Sequence, residues 1–385
     1  GSGGMHGFFV QSLPDQQDSD PATSEGLFVF DPANGTALLP GDVVRVAGTV
    51  AEFNGRTQLS GVTSVLKCTT AALPAPVPVP FPPTVVDDLE RYEGMRVQPV
   101  TADGGFTLAQ NFFLGRYGQV TLAAPDDAGT AGRLFQPTEL IRPASAAALA
   151  LAAQNARRLL VLDDAFDVNA LGDNPNPVPL LGPPPAAVVR AGDRVEGLTG
   201  ILDQGRINAS TPPALAYRLQ PTAPPQLIAA NPRPAAHALP GRLRAASMNV
   251  LNYFTTLDQA GAACYGPGGN VRANCRGADS ASELTRQRDK LVAALRGLNA
   301  DVVGLVELQN EFGPGAAIAD LTAALNTAVG AGTYAWIDPG VVHIGGDAIA
   351  VGILYKPATL APVGGPALLT SAVGPAFIDT LNRPT

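Results

Sequence analysis

The sequence predicts a multidomain, β-rich chain in which small barrels of short strands come first and an α/β sandwich unit follows. Three observations predict it. Apolar residues alternate with period two in short runs closed by turn residues, as in GDVVRVAGTVAEF (Gly41 to Phe53) followed by Asn54-Gly55. The 385 residues include 42 glycines and 36 prolines, spaced as turns and linkers rather than as one low-complexity block. After Arg242 the pattern changes to strand, helix, strand.

The first unit is expected over residues 1–69. GFFVQ from Gly7 and GLFVF from Gly26 read as short apolar strands, and TQLSGVTSVLKC from Thr57 as the return strand of the Asn-Gly hairpin. About five such strands suit an OB-like barrel, with one strand missing before Gly7. Phe8, Phe9, Phe28, Phe30 and Phe53 fall mostly inside the strand pattern and for the most part read as core, against the alternative that they stack on single-stranded nucleic acid as aromatics of OB folds do. Arg45, Arg56 and Lys67 are too few basic residues for a strong electrostatic groove. Asp15, Asp18 and Asp20 are candidate calcium ligands, against the blander reading of a solvated acidic turn.

Residues 70–87, with LPAPVPVPFPP from Leu73, read as an extended proline-rich linker. Residues 88–222 read as a second β-rich, OB-like accessory unit with an insertion, because GDRVEGLTGIL from Gly192 echoes GDVVRVAGTVA from Gly41. Within it, Asp163 and Asp164 read as a turn. Residues 223–241 form a second expected linker.

In the last unit, residues 242–385, SMNVLNYF (from Ser247) and ADVVGLVELQN (from Ala300) read as buried strands. Val302, Val303, Leu305 and Val306 form a β-rich run that stops at Glu307. Between them Ser280 and Glu283 have capping-box spacing, and Leu284, Leu291, Val292, Leu295 and Leu298 recur on one helical face. A second helix carries Ile318, Leu321, Leu325 and Val329. The crossover would bring Asn249 and Glu307 to one sheet edge, where an amide and a carboxylate suit a hard divalent cation. The bland alternative makes Asn249 a strand-end hydrogen-bonder and Glu307 a solvated terminus.

Net charge is −8, which argues against a broadly basic nucleic-acid surface but not against a metal-centred site. No stretch is long and apolar enough for a membrane span. Cys264 and Cys275 flank a glycine-rich loop with no metal-like spacing. A disulfide is expected there, with two free thiols as the alternative, and it would imply an oxidising compartment. Cys68 is left over.

The letters add a resemblance. MNVLNYF, RQRDKLVAAL from Arg286, ADVVGLVELQN and GGDAIAVGILYKP from Gly345, in that order, resemble the endonuclease/exonuclease/phosphatase superfamily with its deoxyribonuclease-I-like fold. The order and spacing are similar to its secreted bacterial extracellular nucleases, the ExeM/NucH type. GFFVQ, DPATSEGLFVF and LERYEGMRV from Leu89 resemble the accessory region of that branch.

The resemblance implies a secreted, magnesium-dependent nuclease, with manganese as a substitute metal, acting on DNA or RNA. It implies that Glu307 binds the metal, that Asn249 orients metal or phosphate, that Asp347 serves nearby and that Arg383 contacts a substrate phosphate. Alternatives are a phosphatase or phosphodiesterase of the same superfamily, and a non-catalytic nucleic-acid-binding or surface protein. The family's later motifs, including its histidine general base, have no match here. The resemblance therefore implies an incomplete sandwich, truncated at both ends, and a chain of weak or no hydrolytic activity.

Overall fold

A computed structural model describes residues 4–33, 37–165, 188–207, 211–235, 240–369 and 373–374. The chain divides into two compact units, Gly1–Arg233 and Pro234–Thr385. Among the described residues it is β-rich, with several sheets and five α-helices. No helix among them is long and apolar enough to cross a membrane.

The first unit opens with β1 (Gly7–Gln11), β2 (Gly26–Phe30), β3 (Asp42–Phe53) and β4 (Arg56–Thr70), in sheet order β1-β2-β4-β3. The turn between β3 and β4 is the expected Asn-Gly hairpin: Asn54 and Gly55 both take positive φ, 54° and 80°. β1 and β3 are edges among the described residues, so pairing does not close a five-stranded barrel.

A nine-stranded sheet follows, made of β5 (Val77–Pro80), β6 (Arg96–Val100), β7 (Gly105–Gln110), β8 (Gln119–Ala123), β9 (Leu159–Asp163), β10 (Arg194–Glu196), β11 (Gly200–Arg206), β12 (Leu215–Pro221) and β13 (Gln226–Ile228). Its order is β13-β10-β7-β8-β9-β12-β11-β6-β5. Short helices α1 (Leu114–Tyr117) and α2 (Pro137–Leu140) precede the longer α3 (Ala146–Arg158), whose cap Ser145 accepts from the Ala148 amide.

Three expectations change in this unit. The proline-rich stretch is not a bare linker: β5 pairs in parallel with β6 as an edge strand, where a missing N–H costs least. Gln226 to Ile228 likewise leave the second expected linker to pair with β10. The apparent repeat is not structural. In the first copy it is one long strand, β3, whereas in the second Gly197, at φ 66°, breaks the run into β10 and β11, which pair with different neighbours.

The two sheets of this unit meet through polar contacts and bare backbone. A Cβ on Gly26 would stand 2.1 Å from the Gly94 carbonyl carbon, so only glycine permits that approach. Glu93 accepts from the Thr57 amide at 2.9 Å and the Gln204 amide at 3.1 Å. Leu108, Leu122, Leu160, Leu202 and Leu219 are fully buried in the apolar core of the larger sheet.

The second unit has one four-stranded sheet of β14 (Ala245–Tyr253), β15 (Val302–Gln309), β16 (Ala335–Trp336) and β17 (Ile349–Tyr355), in order β14-β15-β17-β16. Helix α4 (Ala281–Leu298) crosses between the parallel pair β14 and β15, and α5 (Ala317–Val329) follows β15. The Glu283 amide donates to Ser280 Oγ, while the Glu283 carboxylate accepts from the Asp279 amide, one residue before the expected partner. Leu291 and Leu295 of α4 and Ile318, Leu321 and Leu325 of α5 are buried with Val303, Leu305 and Leu308 of β15. Leu298 is exposed instead, because the helix ends there on Asn299 in the left-handed conformation.

Candidate functional site

β14 and β15 run parallel, with Asn249 opposite Val306. The register then jumps to Tyr253 opposite Leu308, so Val250, Leu251 and Asn252 stand against Glu307 alone. On its other side β15 jumps from Leu305↔Gly352 to Leu308↔Ala350, so Val306 and Glu307 stand against Val351 alone. Glu307 is therefore a bulged residue with irregular pairing on both flanks. It does not end its strand, as its place in the sequence suggested; β15 continues to Gln309.

The bulge is strained. Glu307 has φ 67°, and the facing Leu251 and Asn252 have φ 54° and 48°. Such left-handed backbone costs a non-glycine residue about 1–3 kcal/mol, and is held where the surroundings over-determine it. Three hydrogen bonds hold it here. The Asn252 amide donates to Glu307 Oε2 at 3.3 Å, and Gln287 Nε2 of α4 donates to the Val250 and Leu251 carbonyls at 3.1 and 2.7 Å. Asn249 is exposed, and its Oδ1 accepts from the Leu251 amide at 2.7 Å. Glu307 is half-buried. Asn249 and Glu307 thus lie on adjacent strands, one register position apart, beside a distorted segment.

Two amides just past Glu307 arrange the surrounding loops. Gln309 Oε1 accepts from the Thr255 and Thr256 amides at 3.0 and 3.2 Å. Asn310 is fully buried; its Nδ2 donates to the Ile344 and Asp347 carbonyls at 2.8 Å and its Oδ1 accepts from the Ile344 amide. The loop before β17 is therefore tied to the end of β15. Asp347 sits in that loop, buried, with Oδ1 accepting from Arg276 Nη2 at 2.9 Å and the Ala348 amide at 2.7 Å. Sequence reasoning missed Arg276, Gln287, Gln309 and Asn310. Paired amides closing an apolar strand were the available signal for the last two.

Arg276 adjoins the loop closed by the Cys264–Cys275 disulfide, which forms as expected. His343 stacks on Tyr265, with centroids 3.8 Å apart, and its Nδ1 lies 2.6 Å from the Asn310 carbonyl. Behind the site the Tyr253 hydroxyl donates to Asp320, which also pairs with Arg288. Burial first, then the Asp320 carboxylate, pushes the Tyr253 phenol well above its ordinary range, so it stays a donor.

A divalent cation is tested against this donor set. Among the described residues no three acidic, histidine or cysteine side chains cluster as metal ligands. An all-protein cage is therefore not offered. One carboxylate, one amide oxygen and open solvent fit magnesium, which keeps most of its waters. Asp15, Asp18 and Asp20 form an exposed turn bonded to itself: the Asp20 amide and Thr23 hydroxyl donate to Asp18, and the Ala22 amide to Asp20. Arg383 lies outside the described residues.

No family model matches the chain, and neither a curated protein nor a solved structure matches it.

Proposed function

We propose that the second unit is part of a deoxyribonuclease-I-like phosphodiesterase that hydrolyses nucleic acid with magnesium held at Glu307, and that the first unit supplies OB-like accessory structure. The observation that carries this reading is the strained bulge at Glu307, mismatched in register on both flanks, whose carboxylate accepts from the Asn252 amide on the strand that also carries Asn249. A sheet whose only task is packing gains nothing from three adjoining left-handed residues. The motif resemblance adds weight, and the disulfide fits an exported protein.

Glu307 and Asn249 would hold the ion, with manganese an acceptable substitute. When bound, magnesium supplies a Lewis acid that draws charge from a phosphate oxygen. Glu307 would position that charge, its carboxylate accepting from the Asn252 amide on a facing strand whose Val250 and Leu251 carbonyls Gln287 holds. Asn249 offers an amide whose oxygen is already oriented by the Leu251 amide. Asp347 fixes Arg276, a cation suited to a phosphate. A phosphatase or lipid phosphodiesterase would use the same residues.

The test is Glu307→Gln, which keeps the side-chain shape and removes the charge. Magnesium binding by calorimetry is expected in the wild type and absent in the variant. Whatever hydrolysis of plasmid DNA or RNA the wild type shows should fall by about 10²-fold or more. A wild-type chain that takes up no magnesium, or a variant with unchanged metal binding, overturns the reading. Preference for phosphoinositides over both nucleic acids would move it to the lipid phosphodiesterase class.

A further inference from the structure

A second site lies wholly within the first unit, far in sequence from Glu307. A cavity of about 480 Å³ is lined by residues of β2, of the β3–β4 hairpin and of β8, β9, β11 and β12. This is a size suited to a small organic molecule. Its lining combines aromatic rings, side-chain amides and arginines.

The floor is a chain of charges. Arg56 Nη1 donates to Asp203 Oδ2 at 3.1 Å, Arg218 Nη2 to the same oxygen at 2.6 Å, and Arg218 Nη1 to Asp163 Oδ2 at 2.9 Å. Gln119 Nε2 completes it on Asp163 at 2.7 Å. Two cations and two carboxylates balance, so this floor is rigid and close to neutral. Arg56 also lies over the Phe28 ring, 3.9 Å from its centroid. Gly205 makes room for the chain: a Cβ there would stand 2.4 Å from Arg218 Nη2.

Of the lining amides among the described residues, only Gln119 leaves a buried atom without a partner; Gln58 has a free donor that is not fully buried. Gln58 is 6 % exposed; its Oε1 accepts from Arg56 Nη2, while its Nε2 has no acceptor among the described residues. Gln119 is 7 % exposed, and its buried Oε1 has no donor. A buried polar group without a partner is costly, and its presence in a cavity wall needs a reason. Beside them stand Phe30, Phe53 and Tyr117. Phe53, at the hairpin tip, is 56 % exposed, an unusual cost for an aromatic side chain that only packs.

We propose that this cavity binds a nucleobase, carried either by a free mononucleotide or by one unit of a single strand. A base presents a flat face to aromatic rings and a donor–acceptor edge to side-chain amides. The neutral floor does not call for a bare anion. His6 and Arg206 also line the cavity, so a phosphate borne by the base meets only one lining carboxylate, Asp163, which is already paired.

The proposal does not rest on the nuclease reading, and it is tested without metal. Calorimetric titrations in EDTA would use the four ribonucleoside monophosphates, a short single-stranded oligonucleotide, ribose 5-phosphate and glucose. Base-bearing ligands are expected to bind and the other two not. Phe53→Ala, at an exposed position, and Gln58→Met, which keeps the volume, should each weaken binding at least tenfold, with melting curves checking the fold. Binding of the oligonucleotide in preference to mononucleotides identifies a strand as the ligand, and the reverse a free nucleotide; either supports the site. Binding of ribose 5-phosphate or glucose as tight as that of nucleotides overturns it. So does the absence of nucleotide binding at millimolar concentration, or affinity untouched by Phe53→Ala.

Discussion

Two carboxylates in this chain show how a single residue can hold stability and function apart. Glu307 sits at φ 67°, a conformation glycine adopts without cost. Glu307→Gly removes a left-handed penalty of about 1–2 kcal/mol and adds about 0.5–1 kcal/mol of chain entropy. The variant should be as stable as the wild type or slightly more so by urea unfolding, yet bind no magnesium. A clear loss of stability would mean that the side chain holds the bulge, not the reverse.

Glu93 is the second case. Burial, aided by Glu90 and Asp203 and opposed by the Thr57 and Gln204 amides, raises its pKa from 4.5 to about 7. The folded protein thus holds this proton more tightly than the unfolded chain does. Its contribution is fully present below pH 4.5 and is lost as pH rises through 7, on the order of 3 kcal/mol. Unfolding at pH 4.5 and pH 8 should show the wild type losing about that much relative to Glu93→Gln. A difference independent of pH would remove the assignment.

At the scale of elements, the β3–β4 hairpin does more than reverse the chain. Its tip reaches the larger sheet of the same unit, and a Cβ on Gly55 would stand 1.7 Å from Gln204 Oε1. Gly55→Ala meets both a positive φ and this contact, so thermal unfolding should show a loss above about 1 kcal/mol. An Asn-Gly turn in a free ribbon would lose only the first part. The turn itself was legible in two letters. What it packs on was not, because Gln204 lies on a strand from elsewhere in the chain. The helix cap at Ser280 and the apolar faces of α4 and α5 were legible for the same reason as the turn: partners lie within four residues.

At the scale of the molecule, each unit has its own apolar core. Leu219 is fully buried in the first and Leu305 is 1 % exposed in the second. Leu219→Ala and Leu305→Ala should each cost about 2–5 kcal/mol. Amide exchange should show protection falling mainly in the unit that carries the substitution. Equal loss in both units from either change would show that they unfold together.

The sequence by itself determined what depends on near neighbours: β-rich composition, the Asn54-Gly55 turn, the helices over Ala281–Leu298 and Ala317–Val329, the short disulfide loop, and Asn249 and Glu307 as residues to watch. Only the tertiary structure decided the rest. Asp163 read as a turn residue until Arg218, 55 positions later, was brought onto it; Arg56 finds Asp203 across 147 positions. The proline-rich stretch read as a linker until β6 offered it an edge. The left-handed backbone of Glu307 has no local signature, since a glutamate adopts it only when two neighbouring strands force a mismatch in register. Periodicity reports which face of an element is buried. It does not report which distant charge completes a buried one, and both candidate sites are built from such distant partners.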